Sequence, residues 1–266
     1  VATVAGSQMA LSGIEGVIGT GLDDVLTGDS SAKRMEGGAG DDTLSGGLFF
    51  DTLDGGDGQD TARYDDAGSG VGVDLQTGLA SGGGDSDTLI SIEDLVGSAS
   101  NDTLEGSGFA NRLQGGGGDD LLNGRGAGDT RDGSAGVDTA SFEDAISAVG
   151  VDLAAGVSTG AAGADVLISI ENVIGSGFDD LLSGDSDDNR LAGLDGADTL
   201  VGGAGDDTLD GCAGIDTASF AGAAAGISAD LNGESALGAG YDTLIGIENL
   251  VGSAFGVVEL DRIIDG

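Results

Sequence analysis

Apolar residues in this chain are sparse and recur at a short, fixed spacing. In the commonest unit one Leu follows an Asp by two residues and precedes the next glycine by two. The cleanest copies are GGAGDDTLS (Gly37 to Ser45), GGGGDDLLN (Gly115 to Asn123) and GGAGDDTLD (Gly202 to Asp210). One apolar residue between polar neighbours cannot make a helical face, and it predicts a three-residue strand with one side chain turned inward. The six residues before it, rich in glycine and ending in aspartate, predict a tight turn. Nine residues therefore make a turn and a strand, and eighteen make a coil of two of each. Unit n then lies on unit n+2 at the strand spacing of about 4.8 Å.

A second pattern interrupts the first. The alternation Val71-x-Val73-x-Leu75, with counterparts from Val149 and Ile227, predicts half-buried strands, and the tetrapeptides from Asp87, Asp165 and Asp242 predict another. No segment shows a sustained helical period. Four related segments, LSGIEGVIG, LISIEDLVG, LISIENVIG and LIGIENLVG, end at Gly19, Gly97, Gly175 and Gly252, which are 78, 78 and 77 residues apart. They delimit long repeats at 19–96, 97–174 and 175–251. Each opens with five nine-residue units (19–63, 97–141, 175–219) and closes with a different β segment (64–96, 142–174, 220–251). Residues 1–18 read as the tail of a preceding repeat. Residues 252–266 read as a degenerate repeat or cap, with Val257 where an aspartate is expected. The expectation is an all-β chain, a parallel β-roll or right-handed β-helix solenoid of stacked short strands.

Composition narrows the chemistry. With 48 acidic and 8 basic residues in 266, the net charge is −40. Such a charge with 3% aromatic residues suggests disorder, but the regular spacing of the 39% apolar residues permits a buried stripe once the carboxylates are neutralised. Nucleic acid and anionic membranes would be repelled, and no stretch is long and apolar enough to span a bilayer. There are 56 glycines, no proline and no histidine. The one cysteine, Cys212, reads as a tolerated turn substitution, and no intramolecular disulfide is possible.

Stacking the turns brings their aspartates together. Two bare carboxylates roughly 4 Å apart repel by about 1 kcal/mol in bulk water and by more where water is excluded. A cation between them reverses the sign. Calcium suits this donor set, because it takes six to eight oxygen ligands in flexible geometry. Zinc and copper favour His and Cys, and magnesium demands a stricter octahedron.

The repeated unit resembles the RTX (repeats-in-toxin) calcium-binding nonapeptide. The resemblance implies a parallel β-roll with several calcium ions in its turns, up to about nine for n to n+2 pairing. Carried over position by position, it implies metal ligands at Asp24, Asp42, Asp51 and Asp60 in the first block. In the second they are Asp102, Asn111, Asp120, Asp129 and Asp138, and in the third Asp180, Asn189, Asp198, Asp207 and Asp216. The second unit of each block departs, with Lys33, Asn111 and Asn189 at the ligand position. Asparagine retains a carbonyl oxygen and lysine has none, so the site pairing Lys33 with Asp51 is the weakest. Phe49 in place of a turn glycine and Arg131 in place of a core residue predict local distortion.

Other recurring residues receive structural readings. Glu15, Glu93, Glu171 and Glu248, with Asp74, Asp152 and Asp230, read as solvent-facing guards against strand-edge pairing, with extra calcium ligands as the alternative. Arg34, Arg112 and Arg190 read as relief of local negative charge, and Tyr64, Phe142 and Phe220 as plugs where the narrow roll changes cross-section. No unique polar cluster supports catalysis, so no enzyme activity is expected. The RTX resemblance implies an extracellular or bacterial cell-surface location and type I secretion. The expected role is a calcium-folded scaffold, adhesin or envelope-layer segment, with other subunits of a surface assembly or polysaccharide as further partners. The alternatives are an accessory polysaccharide-contacting module of a secreted enzyme such as an epimerase, and the repeat domain of an RTX toxin.

Overall fold

The computed structural model describes residues 14–82, 85–160, 163–238, 240–255 and 257–259. Most of the expected leading tail, residues 1–13, lies outside the described residues, as do residues 256 and 260–266 of the terminal stretch. Among the described residues there are only strands and turns, with no helix. The chain divides into two compact units. One runs to Gly124 and includes Asp129–Asp138, and the other comprises Arg125–Gly128 and the chain from Thr139 onward.

In the first unit two ladders of short strands form from alternate units of the repeat. One begins Gly16–Ile18, Arg34–Ala39, Thr52–Asp57, and the other Val25–Asp29, Thr43–Gly47, Thr61–Arg63. Pairing within each block is parallel and offset by eighteen residues, as in Met35 opposite Leu53 and Leu26 opposite Leu44. The second unit repeats the scheme, with Leu191 opposite Leu209 and Leu182 opposite Leu200. This is the expected parallel β-roll. The single inward residue of each strand is what the stacking buries: Met35, Leu44, Leu53, Leu104, Leu122, Leu191 and Leu209 have 0% exposure. Each such column removes apolar surface from water at about 25 cal/mol per Å². Some strands exceed the expected three residues, because the glycines that open the next turn also pair, as Gly38 does with Gly56.

The intervening segments insert antiparallel hairpins into the parallel ladder. Val71–Asp74, Leu79–Gly82 and Asp85–Ile90 pair antiparallel in sequence. The two outer strands then rejoin parallel neighbours, Leu89 on Leu53 and Val73 on Leu104. In the second unit Ile227–Asp230, Ser235–Leu237 and Tyr241–Ile245 do the same. Asp74 is not an edge guard. Its Oδ1 accepts the main-chain N–H groups of Gln76 (2.8 Å) and Thr77 (3.2 Å), closing the hairpin turn, and Asp152 and Asp230 accept from Ala155 and Asn232 in the same way. Tyr64, Phe142 and Phe220 are buried where the hairpins begin, as expected of plugs.

The anticipated distortion at Arg131 is absent. Its side chain is fully buried, and its strand keeps register with Leu113 and the neighbours on either side. At Phe49 the chain does strain: φ is 78°, where the corresponding Gly40 has 110° and Gly58 has 156°. A left-handed conformation costs a non-glycine residue about 1–2 kcal/mol. Arg34 pairs with Glu36 and Asp54, and Arg190 with Asp210, relieving charge on the roll surface.

Candidate metal centres

The turns stack as the strands do, and their sixth residues form hydrogen-bonded columns. The main-chain N–H of Asp24 donates to Oδ1 of Asp42 (2.7 Å), and that of Asp42 to Oδ1 of Asp60 (2.8 Å). Asp102 donates to Asp120 and Asp120 to Asp138 (both 2.8 Å). Asp180 donates to Asp198 (2.8 Å) and Asp198 to Asp216 (2.9 Å). The alternate columns place Lys33 against Asp51, Asn111 against Asp129, and Asn189 against Asp207. All fourteen expected ligand residues thus fall on columns of this kind. All but Asp24 are buried.

The first two turns of each block close on themselves in different ways. In the first, the second residue carries a hydroxyl. Thr20, Ser98 and Ser176 each direct a main-chain N–H to Oδ2 of the aspartate four residues on, and each hydroxyl donates to the same carboxylate. These carboxylates are satisfied by their own turn. In the second turn, the N–H groups of Ser107 and Asp185 donate to Oδ1 of Asn111 (2.7 Å) and Asn189 (2.8 Å). The asparagine amides donate onward to the carbonyls of Glu93 and Glu171. Lys33 closes the corresponding turn differently. Its ammonium, nearly enclosed, bonds Asp29 Oδ1 (2.7 Å), Ser31 Oγ (2.6 Å) and the Ser31 carbonyl (3.3 Å).

The third to fifth turns are built differently. Their second residue adopts positive φ whatever its identity: Gly38, Gly47 and Gly56, Gly116, Arg125 and Ser134, Leu194, Gly203 and Cys212. In these turns Oδ2 of Asp42, Asp60, Asp120, Asp198, Asp207 and Asp216 is buried with no hydrogen-bond partner. Each such oxygen lies against the opening glycine of its own turn. A methyl group built on Gly37 would overlap Asp42 Oδ2 and come within 2.6 Å of the Gly55 carbonyl oxygen. At Gly115 it would overlap Asp120 Oδ2 and approach the Gly133 carbonyl to 2.9 Å. Carboxylate and carbonyl oxygens therefore converge where only glycine leaves room.

The electrostatics match this crowding. Burial pushes Asp60, Asp198 and Asp207 up to about 6 and Asp120 to about 7, partly opposed by the main-chain N–H that each accepts. Negative neighbours in the columns add to the rise. Asp42 and Asp216 are raised by the same cause. An unpaired buried carboxylate oxygen is costly unless a cation reaches it. Among the described residues no three His, Cys, Asp or Glu side chains converge, so any ion here would need main-chain carbonyls in its shell. Hard oxygen donors of this mixture fit calcium.

Four further acidic residues extend the columns. Asp87 and Asp242, buried in the hairpins, accept the N–H groups of Asp51 (2.9 Å) and Asp207 (3.2 Å). A sequence signal for them existed: Asp87-Thr88-Leu89 repeats Asp42-Thr43-Leu44. Glu93 and Glu248 accept the N–H groups of Asp60 (2.9 Å) and Asp216 (2.8 Å) through Oε2. This corrects their reading as edge guards, since the carboxylates cap turns instead of facing away from the ladder.

The model of the RTX calcium-binding nonapeptide repeat (4 copies) matches residues 18–53, 36–65, 96–130, 105–140, 170–200 and 183–218, together more than half of the chain. No curated protein matches. Among solved structures, extracellular lipase LipA from Serratia marcescens is similar at 15% identity and a TM-score of 0.29, over 90% of this chain and 39% of that one. The chain thus spans well under half the length of that lipase.

Proposed function

The chain belongs to the RTX calcium-binding nonapeptide repeat family, and from that premise we propose that it is a calcium-folded structural repeat region of a secreted or cell-surface protein. The observation that supports this reading is Oδ2 of Asp42, Asp60, Asp120, Asp198, Asp207 and Asp216, each buried with no hydrogen-bond donor. Calcium, when bound, supplies positive charge and accepts several oxygen ligands at once. The sixth-position residues Asp24, Asp42, Asp51, Asp60, Asp102, Asn111, Asp120, Asp129, Asp138, Asp180, Asn189, Asp198, Asp207 and Asp216 are the side chains we assign to holding it. Glycine carbonyls complete the donor set. Pairing of unit n with n+2 gives three sites per block and up to about nine ions.

The energetics favour a chain that folds where calcium is plentiful. For a site of about 10⁻⁴ M affinity, about 1 mM calcium stabilises the folded state by roughly 1.4 kcal/mol. Nine such sites would contribute on the order of 13 kcal/mol, comparable to the stability of a whole domain. In a calcium-poor compartment the same columns of buried carboxylates oppose folding. This supports export before folding, and a role outside the cell as stalk, adhesin segment or envelope-layer component. Its further partners are other subunits of such an assembly or a polysaccharide. The acidic pairs recur along a ladder and do not face a unique cleft, which favours a structural over an enzymatic role.

Thermal denaturation in EGTA, in about 1 mM calcium and in about 1 mM magnesium tests the reading. We expect a cooperative melt in calcium and little folded signal left to melt in EGTA or in magnesium. Equal curves in all three would refute it.

A further inference from the structure

An interior rung of the aspartate column has three parts. At Asp42 the main-chain N–H reaches Oδ1 of Asp60 in the turn stacked beyond it. Oδ2 of Asp42 is buried without a hydrogen bond. The carbonyl of Gly55, which opens the Asp60 turn, converges on that oxygen over the bare Cα of Gly37.

At the end of the first block the same three parts recur with different residues. The N–H of Asp60 reaches Oε2 of Glu93 at 2.9 Å. Oδ2 of Asp60, a residue with 0% exposure, has no hydrogen-bond partner. The carbonyl of Ser91 and Asp60 Oδ2 converge over the Cα of Gly55. Strand register makes the equivalence firm, since Asp54 lies opposite Ile90 and Thr61 opposite Asp94. Between those anchors a six-residue turn, Gly55 to Asp60, faces a three-residue turn, Ser91 to Glu93. The contracted turn sets its acid farther back, and the extra methylene of glutamate restores the reach. Ser91 takes φ of 48°, a left-handed conformation, at the point where the chain must reverse in so few residues.

The end of the third block is an independent copy. Glu248 Oε2 accepts the N–H of Asp216 at 2.8 Å, and Asp216 Oδ2 is buried without a partner. The carbonyl of Gly246 meets Asp216 Oδ2 over Gly211, and Gly246 has φ of 59°. Register again aligns Asp210 with Ile245 and Thr217 with Asn249.

We propose that the contracted turns Ser91–Glu93 and Gly246–Glu248 are divalent-cation sites, each taking a calcium ion together with Asp60 or Asp216. The proposal rests on the calcium reading of the interior rungs and adds sites outside the nine-residue repeat. Glu93 and Glu248 thereby become ligands at the ladder ends. The alternative is that each glutamate is only a hydrogen-bond acceptor for the turn below it. The unpartnered, buried Oδ2 of Asp60 and the Ser91 carbonyl that meets it over Gly55 favour the cation, because a turn that needed only an acceptor would leave neither oxygen without a donor. A neutral acceptor would have served the N–H equally well.

Glu93→Gln and Glu248→Gln separate the two roles, because the glutamine carbonyl still accepts the N–H while the charge is removed. Equilibrium dialysis of the whole chain against calcium, with far-ultraviolet circular dichroism as a check on folding, gives ions bound per chain. We expect each single variant to lose one ion, or to bind one ion at least tenfold more weakly, and the double variant to lose two, with the β signal retained in saturating calcium. Unchanged counts and affinities in variants of a wild-type chain that binds calcium would overturn the proposal alone. A wild-type chain that binds none would overturn the calcium reading on which it rests.

Discussion

The main-chain N–H of Asp42 donates to Oδ1 of Asp60 at 2.8 Å, across eighteen residues of sequence. This bond joins the backbone of one turn to the carboxylate of the turn stacked on it, and it leaves the second oxygen of each aspartate to be satisfied by something else. In the first turn of a block that partner is the N–H of Thr20, Ser98 or Ser176, joined at Thr20 by the hydroxyl. In later turns no such donor faces Oδ2 of Asp42, Asp60, Asp120, Asp198, Asp207 or Asp216.

Replacing Asp120 by asparagine should therefore have opposite effects with and without calcium. The amide oxygen keeps the bond from the N–H of Asp102, and the amide nitrogen takes the place of Oδ2 beside the Gly133 carbonyl, which can accept from it. Without calcium, Asp120→Asn should stabilise the chain by about 1–3 kcal/mol, the cost of an unsatisfied buried polar group. In millimolar calcium it should destabilise the chain. The two signs are measured by the osmolyte concentration that induces the β signal in EGTA and by urea unfolding in calcium.

The calcium-free chain should lose stability as pH rises. Asp60, Asp198 and Asp207 lie at about 6 and Asp120 at about 7 in the folded state, against an ordinary value near 4 when unfolded. Between those values the folded state binds more protons, so its stability is fully present below about pH 4 and declines through about pH 7. Thermal melts in calcium-free buffer at several pH values check the slope. Calcium should flatten it.

Lys33 supplies a tethered positive charge where the other blocks have asparagine. Its ammonium holds the Asp29 carboxyl below the usual carboxylate range, with Ser31 assisting. Lys33→Asp removes that cation and restores a carboxylate opposite Asp51. The variant should bind one calcium more per chain than wild type, counted by equilibrium dialysis, and should be less stable in EGTA.

Glycine substitutions should separate the opening position of the turn from its third position. Alanine at Gly37 places a methyl group against Asp42 Oδ2 and the Gly55 carbonyl, whereas at Gly177 nothing lies within 4 Å. Gly37→Ala should cost about 1–3 kcal/mol and weaken calcium binding. Gly177→Ala should change stability by less than about 0.5 kcal/mol. Calcium titrations followed by melting temperature distinguish them.

The stacking of unit n on n+2 was readable from the chain, because a lone inward leucine every nine residues leaves few other ways to build a core. The hairpin aspartates Asp87 and Asp242 are legible in principle from their Asp-Thr-Leu pattern, although that pattern by itself predicts only a strand. The recurrence of Glu93 and Glu248 is legible, with calcium ligation as one reading of it, but their place on the aspartate columns is not. Their turns are three residues shorter, so the acid sits out of phase with the repeat and is one methylene longer. Nor did residue type reveal which turns close on themselves. Leu194 and Cys212 adopt the left-handed conformation that glycine takes at Gly38. Stacking imposes it there, although neither side chain favours it.

The central claim is that neutralising the aspartate columns with calcium makes this chain fold. Far-ultraviolet circular dichroism of the chain in EGTA, followed by addition of calcium to a few millimolar, tests it most directly. The account predicts a largely unfolded spectrum in EGTA that converts cooperatively and reversibly to a β spectrum with calcium. A full β spectrum in EGTA at neutral pH, unaltered by calcium, would contradict it.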